Sequence, residues 1–406
     1  MEKLVFNLYS KEYQLNPYPT LSYFREHDPI HEFMFKYGKR EVRSWLVTRY
    51  DDILTLFKDE RITKNIQNLM SKEEIKQKSK IKEIDYIINN MLSKDPPDHT
   101  RLRSLVHKVF TPRMIERLRT RIEDISENLL DNLELNSDVE LMEDYAVPLP
   151  IIIISEMMGI PVEDRNKFRK WSNAITDVSN GTEEIEKLNS SIQEFVNYLE
   201  KIIEERKKSP KDDVISGLVM AKEEGEKLSK NELLSMLFLL IVAGHETTVN
   251  LIGNGMLALL QNPEQLAKLR EHPENMKTAI EELLRYTNPV ELATSRYALE
   301  DFIFQGKEIK KGDMIFLGLA AANRDPKYFN DPEKLDITRK ENKHLAFGHG
   351  IHFCLGAPLA RLEANIAINA LINRFPNIKL NVSEEDIQWR HSEILRGLVQ
   401  LPIKLQ

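Results

Sequence analysis

The segment Phe347-Gly-His-Gly-Ile-His-Phe-Cys-Leu-Gly356 contains the one cysteine of the chain, Cys354. Apolar residues recur after it at helical spacing, which places Cys354 at or just before the N-terminus of a helix. The helix dipole and the backbone N–H groups at such a position stabilise a thiolate. Glycines at positions 348, 350 and 356 let the backbone turn tightly and come close to a flat partner. The segment therefore predicts a thiolate placed under a planar cofactor.

Two other interpretations of this cysteine are open at this point. A lone cysteine is often a small buried hydrophobic residue. A zinc site is conceivable from His344, His349, His352 and Cys354. Its spacing matches no common zinc pattern and leaves the three glycines without a role. The spacing of the glycines and the cysteine favours the thiolate over both alternatives.

A second candidate is the run Ala243-Gly-His-Glu-Thr-Thr248, which directly follows an apolar stretch inside one predicted helix. An acid beside a hydroxyl is costly to bury unless both are hydrogen-bonded. In a structural interpretation, Thr247 or Thr248 bonds back to a carbonyl one turn earlier, and His245 and Glu246 meet a neighbouring helix. In a functional interpretation, the run belongs to an active site. The run alone favours neither.

A third pattern, Glu282-Leu-Leu-Arg285, puts an acid and a base on one face of a helix. Alone, such a pair is typical of a solvent-exposed helix face and contributes about 0.2–0.5 kcal/mol. It gains significance only together with other motifs.

The elements that must position these residues are mostly helical. Ser229-Lys-Asn-Glu232 is a capping box, and no proline follows it until Asn262-Pro263, so a long helix is predicted between them. Its middle, residues 237–242, is apolar on all sides, which predicts a helix passing through the centre of the fold. Strand-like segments are few, and they lie at residues 45–50, 302–305, 314–317 and 397–403. The predicted fold class is mainly α with a small β part.

Composition excludes several classes of protein. With one cysteine in 406 residues there is no disulfide framework. The 57 basic and 64 acidic residues give a net charge of −7, which disfavours nucleic acid as a partner. Residues 1–20 lack the apolar core of a signal peptide, and the longest apolar stretch, Met236 to Gly244, is too short to span a bilayer. We expect a cytoplasmic protein without a membrane anchor.

Taken together, the motifs resemble those of the cytochrome P-450 monooxygenases. F-G-x-G-x-H-x-C-x-G at 347–356, A-G-x-E-T-T at 243–248 and E-x-x-R at 282–285 occur in that family's order and rough spacing. The resemblance extends over nearly the whole chain and is to the soluble bacterial class. Segments such as 95–103, 110–113, 322–326, 387–390 and 395–397 resemble those of family members found in polyketide gene clusters. The resemblance implies the cytochrome P-450 fold as a single catalytic domain over residues 1–406, with a helix-rich core, a minor β-rich lobe and no fused reductase.

The resemblance also implies roles for individual residues. Cys354 would be the axial ligand of the iron in haem b, and Glu282, Arg285 and Arg339 would form a structural triad bracing the loop before it. His99, Arg103, Arg296 and His352 match the positions that bind the haem propionates, a task suited to cations. The other matched haem contacts are Phe347, Gly348, Gly356, Ala243 and Gly244.

On the distal side of the haem, the resemblance implies a catalytic pair. Thr247 would order the water that delivers protons, and Glu246 would help to relay them from solvent. The implied activity is oxidation of an apolar small molecule by O2, by hydroxylation, epoxidation or desaturation, with a polyketide-type secondary metabolite, as in antibiotic biosynthesis, as the expected substrate. The implied pocket is largely apolar, as expected for such substrates. Its residues are the loop from Ile84 to Leu92, with Leu239, Leu240, Ala243, Val290, Thr294, Ile394 and Leu395.

Electrons ultimately from NAD(P)H would reach the protein through a separate ferredoxin or flavodoxin with its reductase, unless peroxide substitutes. Basic residues such as Arg101, Lys108 and Arg113 could guide an acidic partner. The protein is expected to be a monomer. Alternative functions are a fatty-acid or steroid hydroxylase of the same family, and a non-catalytic haem protein for electron transfer or gas sensing. An electron-transfer haem more often has two protein ligands.

Overall fold

The computed structural model describes residues 6–37, 40–71, 73–75, 89–134, 139–164, 167, 168, 170, 171, 182–222 and 225–405. The chain divides into two compact units. The larger unit comprises residues 1–62, 120–149 and 247–406, and the smaller unit comprises residues 63–119 and 150–246.

Helices dominate the described part of the chain, which confirms the predicted fold class. In chain order they are α1 (Lys11–Leu15), α2 (Tyr18–His27), α3 (Tyr50–Leu56), α4 (Asp98–His107), α5 (Pro112–Arg117), α6 (Arg119–Glu134), α7 (Pro148–Met158), α8 (Thr182–Lys208), α9 (Val214–Met220), α10 (Lys230–Gln261), α11 (Pro263–Glu271), α12 (Met276–Thr287), α13 (Leu319–Ala322) and α14 (Ala357–Arg374). A π-helical turn, Met142–Ala146, precedes α7.

The strands are short and form three small sheets. In chain order they are β1 (Ile30–Tyr37), β2 (Arg40–Val47), β3 (Ile62–Thr63), β4 (Val139–Glu140), β5 (Arg296–Ala298), β6 (Phe302–Phe304), β7 (Lys307–Ile309), β8 (Met314–Leu317), β9 (Lys379–Leu380) and β10 (Pro402–Lys404). The largest sheet has the order β1-β2-β8-β5-β3, and the others are β4-β10-β9 and β6-β7.

The strand β8 is apolar throughout because both faces of the sheet are covered in the larger unit. Met314 and Phe316 belong to one buried apolar cluster, and Ile315 and Leu317 belong to another. Successive side chains of a strand point to opposite faces, so a continuous apolar run is expected where both faces are buried. The sequence predicted this strand with the same bounds.

The β1-β2 hairpin was missed by the sequence analysis, which began a strand only at Trp45. The two strands pair antiparallel over eight residues each, with Ile30 opposite Val47 and Tyr37 opposite Arg40. Charged residues interrupt the apolar residues of both strands, which hides the pattern of a buried strand. Arg43 binds the carboxylate of Glu32 across the pair, with Nε 2.9 Å from Oε1. The strands also send apolar side chains to two clusters, Phe35 and Leu46 to one and Ile30 and Trp45 to the other, so no simple alternation marks them.

The long helix α10 begins and ends where the sequence predicted. The amide of Ser229 donates to Glu232 Oε2 (2.8 Å), and the amide of Glu232 donates to Ser229 Oγ (3.3 Å), which confirms the capping box. The helix as a whole is long and apolar enough to cross a membrane by length and composition, unlike the short run on which the sequence expectation rested. However, 72% of its most apolar window is buried inside the protein, as in the core helix of a globular domain.

Candidate functional site

The loop before α14 is folded back on itself in the larger unit. The amide of Cys354 donates to the carbonyl of Phe347 (2.9 Å), and the amide of Gly348 donates to the carbonyl of Leu345 (2.8 Å). Gly348 and Gly350 have φ of 70° and 74°, a left-handed backbone that residues with a Cβ rarely adopt. These two glycines allow a tight loop that presents Cys354 at its end.

Cys354 is exposed and lies three residues before the first residue of α14. Gly356 is the N-cap of that helix. A Cβ added to Gly356 would lie 3.9 Å from the sulfur of Cys354, in van der Waals contact with it. The glycine therefore keeps the surroundings of the sulfur open, and the helix N-terminus favours a negative charge nearby.

The zinc alternative finds no support. Within the described part of the chain, which includes all four residues of that alternative, no group of three or more His, Cys, Asp or Glu side chains could hold a metal ion. His344 is instead hydrogen-bonded to Glu281, with Nε2 3.0 Å from Oε2. As a possible metal ligand, the loop thus offers the single thiol of Cys354.

The structure brings Glu282, Arg285 and Arg339 together. Arg285 forms a bidentate pair with Glu282, both distances being 2.8 Å, and Arg339 Nε lies 3.0 Å from Glu282 Oε2. The side chains of Glu282 and Arg285 are fully buried. The pair is therefore not the surface i,i+3 pair that its spacing alone would suggest.

Arg285 uses all five of its N–H donors. Besides the two bonds to Glu282, it donates to the carbonyls of Asn323, Pro332 and Lys334 at 2.8–3.1 Å. Glu282 also accepts the amide of Asp336 at 2.9 Å. One ion pair on α12 thus fixes the course of the chain from residue 323 to residue 339.

Two of the four cationic candidates lie in the larger unit. Arg296 begins β5, is buried, and stacks its guanidinium on Phe57 at 4.7 Å from the ring centroid. It also donates to the carbonyl of Thr294 at 2.9 Å. His352 is half-buried and ends the short 3-10 turn Gly350–His352 just before Cys354.

The other two cationic candidates lie in the smaller unit. His99 is in the first turn of α4 and is only 2% exposed. Arg103 follows four residues later, so both side chains lie on the same helix face. Together with burial, the charge of Arg103 lowers the pKa of His107, which comes one turn further on.

The middle of α10 has one accessible stripe on an otherwise buried helix. Leu239 and Thr247 are half-buried and Ala243 is exposed, each four residues from the next. A residue four positions along a helix lies on the same face, so these three positions form one line. Gly244 lies beside the stripe, and a Cβ there would come within 3.1 Å of Ile154 on α7. Close packing of two helices is thus a sufficient reason for this glycine.

His245 and Glu246 are both buried in the smaller unit. The Nδ1–H of His245 donates to the carbonyl of Ile241, one turn earlier, at 2.9 Å. This fixes the ring, and its Nε2 lies 3.7 Å from Glu246 Oε2. The polar run therefore combines a local hydrogen bond with a buried acid and base side by side.

The predicted pocket residues fall into two groups. In the larger unit, Val290 and Leu395 form a β-bridge, and the amide of Glu291 donates to the carbonyl of Ile394 at 2.8 Å, so the segments 290–294 and 394–395 are adjacent. In the smaller unit, Leu92 is half-buried in a 3-10 turn and Leu240 is buried on α10. Residues 84–88 of the predicted loop lie outside the described residues.

Two of the three basic residues suggested for partner docking are engaged within the smaller unit. Arg101 forms ion pairs with Glu232 and Glu226, and Lys108 donates to the carbonyl of Lys222. Arg113 is exposed. The two carboxylates offset the charge that Arg101 can offer to a partner, whereas Lys108, bonded to a neutral carbonyl, keeps its charge.

The sequence analysis missed a further cluster beside the cysteine loop. Glu281 binds both Arg361 and His344, and Arg361 stacks on Phe347 at 4.5 Å from the ring centroid. Hydrogen bonds from Arg361 and His344 outweigh the effect of burial and hold the pKa of Glu281 at about 2. The only sequence signal was a second acid directly before Glu282.

Comparison with known proteins gives consistent results. The family model "Cytochrome P450" (cytochrome P-450) matches residues 19–405. The curated Bacillus subtilis protein "polyketide biosynthesis cytochrome P-450 PksS" is 54% identical over 405 residues, covering 100% of both chains. The chain thus matches this relative from end to end.

Solved structures agree with these matches. The structure of PksS from the bacillaene polyketide synthase of Bacillus subtilis has a TM-score of 0.93 and 52% identity, covering 99% of this chain and 100% of that one. The myxobacterial CYP267B1, solved in complex with myristic acid, has a TM-score of 0.92 and 41% identity, covering 98% of each chain. The similarity thus holds for the fold as well as for the sequence.

Proposed function

The chain belongs to the cytochrome P-450 family, and we propose that within it this monooxygenase oxidises an apolar, polyketide-type secondary metabolite by hydroxylation, epoxidation or desaturation. The observation that carries the monooxygenase chemistry is the exposed thiol of Cys354 at the end of its glycine loop. The polyketide substrate is supported by the full-length likeness to PksS.

The residues at the loop fit haem b as the family's cofactor. Cys354 supplies one exposed sulfur donor before a helix N-terminus, and the missing Cβ of Gly356 leaves room beside it for a flat ring. When bound, haem activates O2, and its thiolate ligand pushes electron density toward the iron, which favours O–O cleavage. In this proposal Cys354 would bind the haem iron, and Phe347, Gly348 and Gly356 would contact the ring.

The propionate contacts are proposed on the same basis. His99, Arg103, Arg296 and His352 are the four cationic candidates. The stacking of Arg296 on Phe57 supports its part, because a guanidinium held in one orientation loses little freedom when it binds a carboxylate. The buried position of His99 likewise favours a fixed ring over a mobile surface side chain.

Proton delivery is proposed for the polar run of α10. Thr247 lies on the accessible stripe of the helix, one turn after Ala243, so its hydroxyl can hold a water there. Glu246 is next to it and is buried beside His245. A carboxyl within reach of an imidazole can pass a proton on, so Glu246 is proposed as the relay and Thr247 as the residue that orders water.

The substrate class is proposed from the residues that the family resemblance assigns to the pocket. Leu239, Ala243, Val290 and Leu395 offer apolar surface with little hydrogen-bonding capacity, which suits a long apolar chain. Leu92, Leu240, Thr294 and Ile394 complete the proposed walls. The complex of the related CYP267B1 with myristic acid makes a fatty acid the second candidate substrate.

The remaining proposals concern partners and location. Electrons originating from NAD(P)H are proposed to arrive through a ferredoxin or flavodoxin with its reductase. We place the protein in the cytoplasm as a monomer, without nucleic acid or membrane partners.

The test of this function is a pair of spectra on the purified holoprotein. Reduced protein with carbon monoxide should show the strongly red-shifted Soret band of thiolate ligation, and Cys354→Ala should lose it. A histidine-type band would favour the electron-transfer or gas-sensing alternative, and either that band or the absence of haem would overturn the monooxygenase.

The substrate class is tested by titrating the oxidised protein with a panel of linear polyenes, fatty acids and steroids. Polyketide-type polyenes should give the tightest substrate-induced shift of the Soret band. A tighter response to fatty acids or steroids would replace the polyketide assignment and leave the monooxygenase chemistry intact.

A further inference from the structure

We propose that Glu281, Arg361 and His344 form a clamp that positions the cysteine loop, and through it the thiolate ligand. This inference rests on the proposed haem ligation by Cys354. The three residues are positioning residues, since the clamp acts on Phe347 and on the backbone of the loop. It is separate from the triad of Glu282, Arg285 and Arg339, which fixes residues 323–339.

Glu281 is the centre of the clamp. Its carboxylate accepts two bonds from Arg361, from Nε at 2.6 Å and from the terminal NH2 nitrogen at 2.8 Å. It also lies 3.0 Å from His344 Nε2. The three residues come from α12, from the segment leading into the loop and from α14, so one carboxylate joins three parts of the larger unit.

The hydrogen bonds fix the orientation of His344. The amide of Ala346 donates to Nδ1 of His344 at 3.3 Å, so Nδ1 acts as the acceptor and Nε2 carries the hydrogen that is donated to Glu281. The imidazole therefore connects the carboxylate to the backbone directly before Phe347. At 3% side-chain exposure, it has little room to adopt another arrangement.

Two members of the clamp, Arg361 and His344, lie near the ring of Phe347. The guanidinium of Arg361 stacks on its ring at 4.5 Å, and the ring of His344 lies 6.0 Å away, centroid to centroid. The carbonyl of the same residue accepts the amide of Cys354 at 2.9 Å. Holding Phe347 in place thus holds the hydrogen bond that closes the loop at the cysteine.

Adjacent acids on α12 brace adjacent parts of the chain. Glu282 binds the amide of residue 336 and the side chain of Arg339, whereas Glu281 binds His344 in the next segment and Arg361 beyond Cys354. Residues that hold a metal ligand in place without touching the metal set the orientation of the ligand and tune the metal. The clamp is placed to do this for a thiolate.

The test measures how long the thiolate-type band lasts in the reduced carbon monoxide complex of the holoprotein. In Glu281→Gln and in Arg361→Gln, its half-life should fall by about tenfold, the lower end of the effect expected for partners that orient a metal ligand. The half-life in the double variant should be at most about twofold shorter than in either single variant. The effects of substitutions in residues that act as a unit are not additive. Arg361→Lys keeps the charge but loses the fork and the planar stacking, so it should be intermediate.

The control is Arg374→Gln, at the other end of α14. Arg374 also bridges helices, binding Asp131 at 2.6 Å and Glu127 at 3.4 Å, but it lies at the opposite end from the cysteine loop. Each half-life is measured at the same interval below the protein's own melting temperature, so that a general loss of stability cancels. The control should keep the wild-type half-life.

The outcomes separate the clamp from the proposed function. In the first outcome, the wild type shows the thiolate-type band, and all clamp variants, Arg361→Lys included, keep the half-life of Arg374→Gln. The clamp is then overturned, and the ligation by Cys354 stands. If the wild type lacks the band, both are overturned. If only Glu281→Gln fails to fold with haem, the two Arg361 variants decide the question.

Discussion

Residue by residue, the proposed chemistry depends on polar groups that lie inside apolar surroundings. Glu246 and His245 are buried side by side, whereas Thr247, the next residue, is accessible. A hydroxyl on an accessible line of an apolar helix can hold a water molecule, and a buried acid next to it can pass protons to that water. This division of tasks between neighbouring residues leads to a direct test.

Thr247→Ala should lower the product formed per electron consumed by about tenfold or more, with a matching rise in peroxide release, because proton delivery is a step worth at least that factor. Product, NAD(P)H consumption and peroxide are measured in the same reaction. The matched control is Thr248→Ala, since Thr248 is adjacent but buried away from the stripe. Full coupling in Thr247→Ala would mean that another group orders the water.

Glu363 is a buried acid whose environment opposes its charge. It lies on α14 with 1% exposure, one of its carboxylate oxygens makes no hydrogen bond, and burial raises its pKa well above the usual value. The folded state then holds a proton that the unfolded state releases above about pH 4.5. Since the folded pKa is the higher one, stability falls as the pH rises through the range between the two values.

Replacing this group should change the pH dependence of stability. Relative to wild type, Glu363→Gln should gain up to about 1.4 kcal/mol in free energy of unfolding for each pH unit above about 4.5, until the folded pKa is reached. Urea unfolding at several pH values measures the difference, with Glu271→Gln on the surface of α11 as the control. Parallel curves for wild type and Glu363→Gln would contradict the prediction.

Among the elements, α12 fixes two consecutive segments of chain through its adjacent acids. Glu282→Gln would leave the fully buried Arg285 without its counter-charge. We expect a loss of about 3–5 kcal/mol in the free energy of unfolding, since an uncompensated buried charge is costly. Chemical denaturation measures it, and Glu274→Gln, which breaks an exposed pair with His272, should cost less than about 1 kcal/mol.

The same elements show which features the sequence could predict. The start of α10 and the strand β8 depend on local patterns, a capping box and an apolar run, so both were predictable. The β1-β2 hairpin places apolar residues in both buried clusters with charged residues between them, which gives no simple local pattern. Glu281 was missed because its partners are 63 and 80 residues away, and only the folded chain brings them together. The cysteine loop was predictable because its glycines and its thiol lie within ten residues.

On the scale of the whole molecule, the family match takes up residues 19–405, and the electrons are proposed to come from a separate ferredoxin or flavodoxin with its reductase. Purified protein with NAD(P)H alone should therefore give no product. Addition of a ferredoxin or flavodoxin with its reductase should restore turnover, and hydrogen peroxide is tested separately as a substitute. Turnover with NAD(P)H alone would contradict this prediction.

The bonds of Arg285 also determine which sequence changes the larger unit can tolerate. Three of its acceptors are main-chain carbonyls, of residues 323, 332 and 334. Every amino acid carries that carbonyl, so side chains at these positions can drift over evolution without loss of the bonds. An inserted or deleted residue between 323 and 334 would instead shift at least one of these acceptors relative to the fixed guanidinium. Related chains should therefore keep the length of this stretch even where its side chains differ.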